Sequence, residues 1–195
     1  MLERRDERHS VPLQDVDLLT RLSQYFDALD EHLRTGNGWF IFNAAGVRGA
    51  RVAGYIMGRL SDISPRFSYY IVPWREFSLS AYLIEVELQS LAQQPPLEGK
   101  AKREFDIATR ISRDSMVKMV ASDLLVVTGL QPSHLHELQF LDETVERRYN
   151  QRLSTILLTP KQPYEMPGAF HDVAPAMPFW DRLFGRMYER SLIAL

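Results

Sequence analysis

The chain has 195 residues, a formal net charge of −2, 45% hydrophobic residues and 25% charged residues. This length allows one well-buried core and is short for two, and the small charge implies no general affinity for nucleic acid or anionic membranes. The lack of cysteine excludes disulfides and thiolate sites, and the lack of any run near the ~20 apolar residues of a membrane span favours a cytoplasmic protein without a membrane partner.

The first half of the chain alternates helical and strand patterns. Residues 1–12 are charge-dense, lack the apolar core of a signal peptide and are expected to be flexible. Apolar residues at helical spacing in "DVDLLTRLSQYFDALDEHLRTGNG" predict one helix from residue 15 to the "TGNG" that ends it. "WFIFN" predicts a buried strand, the pattern from Val52 a helix, "FSYYIVP" a second strand and "WREFSLSAYLIEVELQSLAQQ" a long helix.

The second half continues this alternation after a break at "PPLEGK". It predicts a helix over 101–122, a strand "DLLVVTG", a helix over about 133–152 and a strand "STILLTP". The Pro-rich stretch "KQPYEMPGAFHDVAPAMP" predicts a loop, followed by a helix "FWDRLFGRMYER" and a last strand "SLIAL". Short apolar strands between helices predict an α/β fold, a parallel sheet covered on both faces in a single domain over 13–195.

The segment "NAAGVRGA", from Asn43 to Ala50, stands where a phosphate-binding loop would join a strand to a helix. Such a loop needs glycines whose amides converge on phosphate, a lysine for the outer phosphates and a hydroxyl for Mg²⁺. Aligned with G-x-x-x-x-G-K-[ST], Asn43 takes the first position, and Arg48, Gly49 and Ala50 take the last three. None of these four positions matches, so the segment alone favours a tight strand-to-helix turn shaped by Gly46 and Gly49.

The segment "HLHE", from His134 to Glu137, contains residue types that bind metals. Its two histidines stand at i and i+2 and so do not share a helix face. The sequence identifies no third ligand, and the expectation is a surface helix without a metal site.

A basic segment spans residues 100–118 and is a candidate contact for the DNA backbone. The sequence favours the alternative, a solvated helix face. The basic residues are Lys100, Lys102, Arg103, Arg110, Arg113 and Lys118.

The last predicted helix carries a stripe of aromatic residues at helical spacing. Packing against the sheet is favoured, and exposed members would form a protein-docking surface. The residues are Phe179, Trp180, Phe184 and Tyr188.

Five windows, in order, resemble the DnaC/IstB-type helicase loaders and transposition helpers of the AAA+ superfamily. "WFIFNAAGVRGARVAGYI" resembles their first strand, P-loop and helix, and "FSYYIVPWREFSLSAYL" their second strand and the next helix. "SDLLVVTGLQP" resembles the Walker B strand, and "ETVERRYNQRLSTILLTP" the helix with an Arg-Tyr pair, here Arg148-Tyr149, before the sensor strand. "WDRLFGRMYERSLIAL" resembles the terminal helix with its arginine finger and the last strand, so the match runs from about residue 15 to the end.

The resemblance implies a P-loop NTPase-like fold: a five-stranded parallel sheet, order 5-1-4-3-2, in a three-layer arrangement with helices and without a lid domain. It also implies that the catalytic parts are absent. The Walker B acid positions hold Thr128 and Gly129, and Pro160 lies where the polar sensor residue is expected. The resemblance places the arginine finger at Arg186 or, as second choice, Arg182.

Together these features predict a non-hydrolysing, AAA+-like pseudo-ATPase that uses no cofactor. It would act through protein partners (an AAA+ or helicase-type protein, or a second copy) as adaptor, regulator or assembly subunit of a DNA-replication or DNA-handling complex. One alternative is a divergent loader-type ATPase that binds ATP and Mg²⁺ with Arg48 or Arg51 in place of the lysine. Another is a DNA-binding accessory or inhibitor protein on a decayed ATPase fold.

Overall fold

A computed structural model describes residues 12–63, 67–84 and 99–195 of the chain. It begins with two helices, α1 (Leu13–Asp27) and α2 (Leu29–Thr35), where the sequence predicts one. The helix breaks at Ala28, whose φ of −107° and ψ of 24° are not helical, and neither Gly nor Pro marks this break. The predicted flexible start, up to residue 11, and most of the "PPLEGK" break lie outside the described residues.

The remaining elements, apart from one additional helix between the last two strands, alternate as the sequence predicts. In chain order they are β1 (Gly38–Ile41), α3 (Gly46–Asp62), β2 (Tyr69–Pro73), α4 (Trp74–Tyr82), α5 (Gly99–Ala121), β3 (Leu124–Thr128), α6 (Leu135–Asn150), β4 (Ser154–Leu158), α7 (Met166–Val173), α8 (Phe179–Arg190) and β5 (Ser191–Ala194). The long helix predicted from Trp74 is followed only as far as Ile84, beyond which the chain is not described until Gly99. Among the described residues, no helix has the length and apolarity that crossing a membrane requires.

The Pro-rich stretch after β4 contains helix α7, so the prediction of a loop is wrong for this part. Pro167 lies in the first turn of α7, where a missing N–H and a fixed φ are compatible with a helix. Met166 and Phe170, one turn apart, are buried in the core and hold α7 against it. Burial of one apolar face therefore outweighs the local proline signal.

The five strands form one parallel sheet in the order β2-β3-β4-β1-β5. This is the predicted order 5-1-4-3-2 read from the other edge, and the predicted fold class is confirmed. β1 lies between β4 and β5, and Trp39 is aligned with Ile156 on one side and with Leu192 on the other.

Helices cover both faces of the sheet, and β1 contributes alternate side chains to two separate cores. Trp39 and Ile41 pack with residues of α1, α2 and α3, and Phe40 packs with residues of α4 to α8 on the opposite face. Every residue of β1 is buried, as expected for a parallel strand between two helical layers. The carboxyl ends of the parallel strands meet at one edge, where α/β proteins place their ligand sites.

Candidate functional site

The turn between β1 and α3 is shorter than a phosphate-binding loop. Only residues 42–45 separate Ile41 from Gly46, whereas a P-loop motif of about eight residues joins strand to helix. Helix α3 begins well before Val52, the residue from which the sequence predicts it. The chain therefore has few residues with which to surround a phosphate.

The main chain of this turn is bonded to the segment that follows β4. The N–H of Asn43 donates to the carbonyl oxygen of Lys161 at 3.0 Å, and the N–H of Ala44 donates to that of Thr159 at 2.8 Å. Asn43 and Gly46 have positive φ values, 54° and 49°, which make the reversal tight. Two amides at the position of a phosphate cradle are thus already used inside the protein.

Gly49, which the motif alignment places at the P-loop lysine, has no room for a side chain. A Cβ placed there would lie 2.3 Å from the carbonyl oxygen of Ala44, because the first turn of α3 packs on the preceding loop. Ala50, at the position of the Mg²⁺-binding hydroxyl, is exposed on α3. The missing lysine is therefore part of a backbone arrangement that only glycine fits.

The two arginines that follow Gly46 are bound to one carboxylate on α1. Nε of Arg48 donates to Oδ1 of Asp15 at 2.8 Å, and Arg51 donates to Oδ2 of the same residue. Arg48 also donates to the carbonyl oxygens of Asn43 at 3.2 Å and Leu195 at 2.7 Å. Asp15 is 3% exposed, so this ion-pair cluster joins α1, α3 and the turn.

Sequence reasoning missed Asp15, because 33 positions separate it from Arg48. A signal was present: Asp15 lies one turn before Leu18 and two before Leu22, on the apolar face of α1. A carboxylate on such a face needs a partner.

The positions that resemble Walker B and the sensor lie beside this turn. Thr128 ends β3 half-buried, and Gly129 follows with φ of 73°. Thr159, directly before Pro160, is fully buried, and its hydroxyl donates to the carbonyl oxygen of Leu130 at 2.8 Å. The loops after β1, β3 and β4 are thus bonded to one another. Thr128 and Gly129 occupy the positions that the resemblance assigns to the Walker B acids.

Both candidate finger arginines on α8 are paired within the chain. Arg182 donates to Asp142 on α6 through Nε at 3.0 Å and through a terminal nitrogen at 2.6 Å. Arg186 donates to the other oxygen of Asp142 at 2.6 Å and lies 3.2 Å from Glu146. The side chain of Asp142 is 14% exposed, so both guanidinium groups are held against α6.

Replacing Asp142 by Asn should lower the free energy of unfolding by about 1–2 kcal/mol, because charge-assisted hydrogen bonds to two arginines weaken. Urea denaturation measures this change. Glu143→Gln is the matched control: Glu143 pairs with Arg147 on the exposed surface at 3.2 Å, and its loss should cost less than about 0.5 kcal/mol. Equal effects of the two substitutions would contradict the prediction that the bonds of Asp142 to the two arginines stabilise the fold.

The basic residues of α5 lie on its exposed surface. Lys102, Arg103, Arg110, Arg113 and Lys118 are all exposed. Nζ of Lys118 lies 5.9 Å from the centre of the Tyr70 ring. The side chain of Lys100 is not among those described. The candidate DNA contact is therefore a solvated helix face available to a ligand.

The four aromatic residues of α8 differ in how deeply their side chains are buried. Phe179 is buried in the core, Trp180 and Phe184 are half-buried against it, and Tyr188 is 68% exposed. The last three stack in a row, with ring centres 5.2 Å and 5.9 Å apart. Packing on the sheet accounts for the first half of the stripe, and the stripe reaches solvent at Tyr188.

The "HLHE" segment forms the beginning of α6, with His134 as the residue before its first turn. Glu137 is 3% exposed and accepts hydrogen bonds from the N–H groups of Ser133 at 2.6 Å and His134 at 3.1 Å, and from the hydroxyl of Ser78. Burial alone would raise the pKa of Glu137, but these hydrogen bonds together lower it below its usual value. The carboxylate is therefore charged at neutral pH and fixed in position.

Comparisons with known proteins bear on the fold. No protein-family model matches the sequence, and no curated protein matches it. A crystal structure of the DnaC helicase loader is similar with a TM-score of 0.62 and 15% sequence identity, over 97% of this chain and 93% of that chain. A crystal structure of a DNA replication initiation factor is similar with a TM-score of 0.57 and 13% identity, over 96% of this chain but 48% of that chain. This chain therefore has the P-loop NTPase-like α/β fold that the helicase loader also has.

Proposed function

We propose that this chain is a pseudo-ATPase, a protein that does not hydrolyse ATP and that acts by binding protein partners in a DNA-replication complex. The observation that carries the proposal is the position of Arg48, whose guanidinium group binds the carboxylate of Asp15 and the carbonyl oxygen of Asn43. A turn that binds phosphate directs amides and a free cation outward. In this turn, by contrast, the guanidinium group of Arg48 is bound to groups of the protein itself.

Displacing this arginine carries a cost that opposes nucleotide binding. A phosphate that recruited Arg48 or Arg51 would remove a partner from Asp15, which is 3% exposed. A buried carboxylate that loses a charge-assisted hydrogen bond is destabilised by roughly 1.5–3 kcal/mol. Without a lysine or a metal-binding hydroxyl, the loop offers little that would offset this cost.

A divergent ATPase that uses Arg48 or Arg51 for the phosphates is the first alternative, and ATP hydrolysis distinguishes it. We expect no turnover above background for the purified chain or for Arg48→Ala, with Arg34→Ala, an exposed substitution on α2, as control. Turnover that Arg48→Ala abolishes and Arg34→Ala retains would establish the alternative and overturn the proposal.

The proposed partner is a replicative helicase, another AAA+ protein or a second copy of this chain. The similar structures carry the names helicase loader and DNA replication initiation factor, and the exposed end of the aromatic stripe at Tyr188 offers a contact. Sedimentation with the purified replicative helicase of the same organism tests this. A complex that forms equally with and without ATP supports the proposal, and a complex that requires ATP contradicts it.

Binding to DNA is a second candidate function, favoured by the exposed basic residues of α5. A contact with phosphates predicts that DNA affinity falls steeply with salt, and that each lost contact reduces the slope by about one. Arg110→Glu and Arg113→Glu should then weaken binding, while Arg34→Glu should not. Absence of binding at low salt dismisses this function and leaves the pseudo-ATPase proposal intact.

A further inference from the structure

The start of α6 brings three metal-ligating side chains together. His134 precedes the helix with an extended backbone, φ −137° and ψ 150°, so the spacing rule for helix faces does not apply to it. Its ring stacks on that of His136, with centres 5.4 Å apart, and its Nδ1 lies 3.8 Å from Oε1 of Glu137. One ligand atom from each of the three residues lies within 4.8 Å of the others.

We propose that His134, His136 and Glu137 form a binding site for a divalent transition-metal ion and that this ion is Zn²⁺. Two imidazoles and one carboxylate are a donor set of zinc sites that keep an open coordination position. Bonds of ~2.0–2.2 Å in a tetrahedral site place donor atoms about 3.4 Å apart. In this structure the donor atoms of the three residues lie within 4.8 Å of one another. They reach the shorter distance when the exposed His134 and the half-buried His136 rotate about their side-chain bonds.

The carboxylate of Glu137 is oriented for this role by hydrogen bonds from two main-chain N–H groups and one hydroxyl. Its Oε2 accepts the N–H groups of Ser133 and His134, and its Oε1, the oxygen nearer the imidazole, accepts the hydroxyl of Ser78. A carboxylate oxygen has two acceptor positions, so Oε1 keeps one for a metal. Bonds of this kind fix ligand orientation and influence metal affinity.

An open cavity of about 750 Å³ between α4 and the start of α6 gives access to the three side chains. Glu76 also lines it and adds a second carboxylate, while Arg75 and the positive end of α6 oppose a cation. Imidazole donors favour Zn²⁺, Cu²⁺, Ni²⁺ and Co²⁺ over Mg²⁺ and Ca²⁺, which take oxygen ligands. The site is therefore distinct in chemistry and in place from the turn after β1.

Titration of the untagged full chain with ZnCl₂ in a calorimeter, repeated with CoCl₂ by visible absorption, tests the proposal. We expect one equivalent of Zn²⁺ to bind and the Co²⁺ complex to show the intense visible bands of a tetrahedral site. His134→Ala and His136→Ala should each lower the affinity at least about tenfold. His134 is exposed and His136 is half-buried outside the core, so far-ultraviolet circular dichroism should show folded variants.

His171→Ala is the matched control, since His171 is exposed on α7 and does not line the cavity. Its affinity for Zn²⁺ should equal that of the unchanged chain. Ser78→Ala should weaken binding less than loss of a histidine, because it alters only the orientation of the carboxylate. Absence of saturable one-to-one binding, or an affinity that neither His134→Ala nor His136→Ala reduces, would overturn the proposal.

Discussion

Replacing Arg148 by Met is expected to lower the free energy of unfolding by at least about 3 kcal/mol. Arg148 is fully buried in the described structure, and its guanidinium group joins α6 to the end of α5 and to β4. The groups that accept its hydrogen bonds are the carbonyl oxygens of Met119, Ser122 and Ser154 and the hydroxyl of Thr155. Methionine fills similar space but leaves these acceptors buried and unsatisfied.

Burial lowers the pKa of Arg148 to about 9, so the side chain is still charged at neutral pH, where the unfolding is measured. Arg147→Met is the control at the neighbouring position, since Arg147 is exposed and pairs with Glu143 on the surface. Its effect should stay within about 0.5 kcal/mol. Urea denaturation of both variants gives the comparison, and a loss below about 1 kcal/mol for Arg148→Met would refute the role of a buried clamp.

Gly49→Ala is expected to destabilise the protein by about 1–3 kcal/mol, since the added methyl group would meet the backbone at Ala44. The Cβ would lie 2.3 Å from the carbonyl oxygen and 2.9 Å from the carbonyl carbon of Ala44. Neither atom can move without opening the turn after β1. The same contact means that a lysine introduced at position 49 does not rebuild a phosphate-binding loop.

Gly54→Ala on the same helix is the control for this prediction. A Cβ at Gly54 meets nothing within 4 Å, so alanine should stabilise the helix by about 0.5–1 kcal/mol. Thermal and urea unfolding of the two variants should therefore give changes of opposite sign. A neutral or stabilising Gly49→Ala would show that the turn is looser than the contact with Ala44 indicates.

The sequence predicts the sheet well because its strands carry a strong local signal. Each central strand is a short apolar run, such as "WFIFN" or "DLLVVTG", and both faces of a parallel strand are buried. The alternation of strands with helices then defines the class, and the ordered windows imply the strand order. Local patterns sufficed for the fold class because burial, rather than single contacts, determines it, whereas the strand order is what the resemblance to the helicase-loader family implied.

The features missed depend on contacts between distant parts of the chain. Asp15 meets Arg48 only when α1 packs on α3, and Asp142 meets Arg186 only when α6 packs on α8. Arg148 gave a signal, because it continues the apolar series Leu138, Leu141 and Val145 on α6. Such a series cannot state which groups accept the buried hydrogen bonds.

The closeness of His134, His136 and Glu137 was not predicted, for a local reason. Whether His134 lies inside or just before α6 changes the direction of its side chain, and helix ends are uncertain by one or two residues in a sequence-based prediction. The spacing of i and i+2 separates two side chains on a helix but not across its first residue. Glu137, the third residue of the proposed site, belongs to the same segment, but nothing in the sequence indicated that it should be counted as a ligand.

Isothermal titration of the purified chain with ATP and Mg²⁺ tests the central claim most directly. The closed turn after β1, with Arg48 and Arg51 bound to Asp15, predicts no saturable binding below about 1 mM nucleotide. Arg48→Ala should give the same result. A one-to-one complex with a dissociation constant of a few micromolar, accompanied by release of phosphate, would contradict the account.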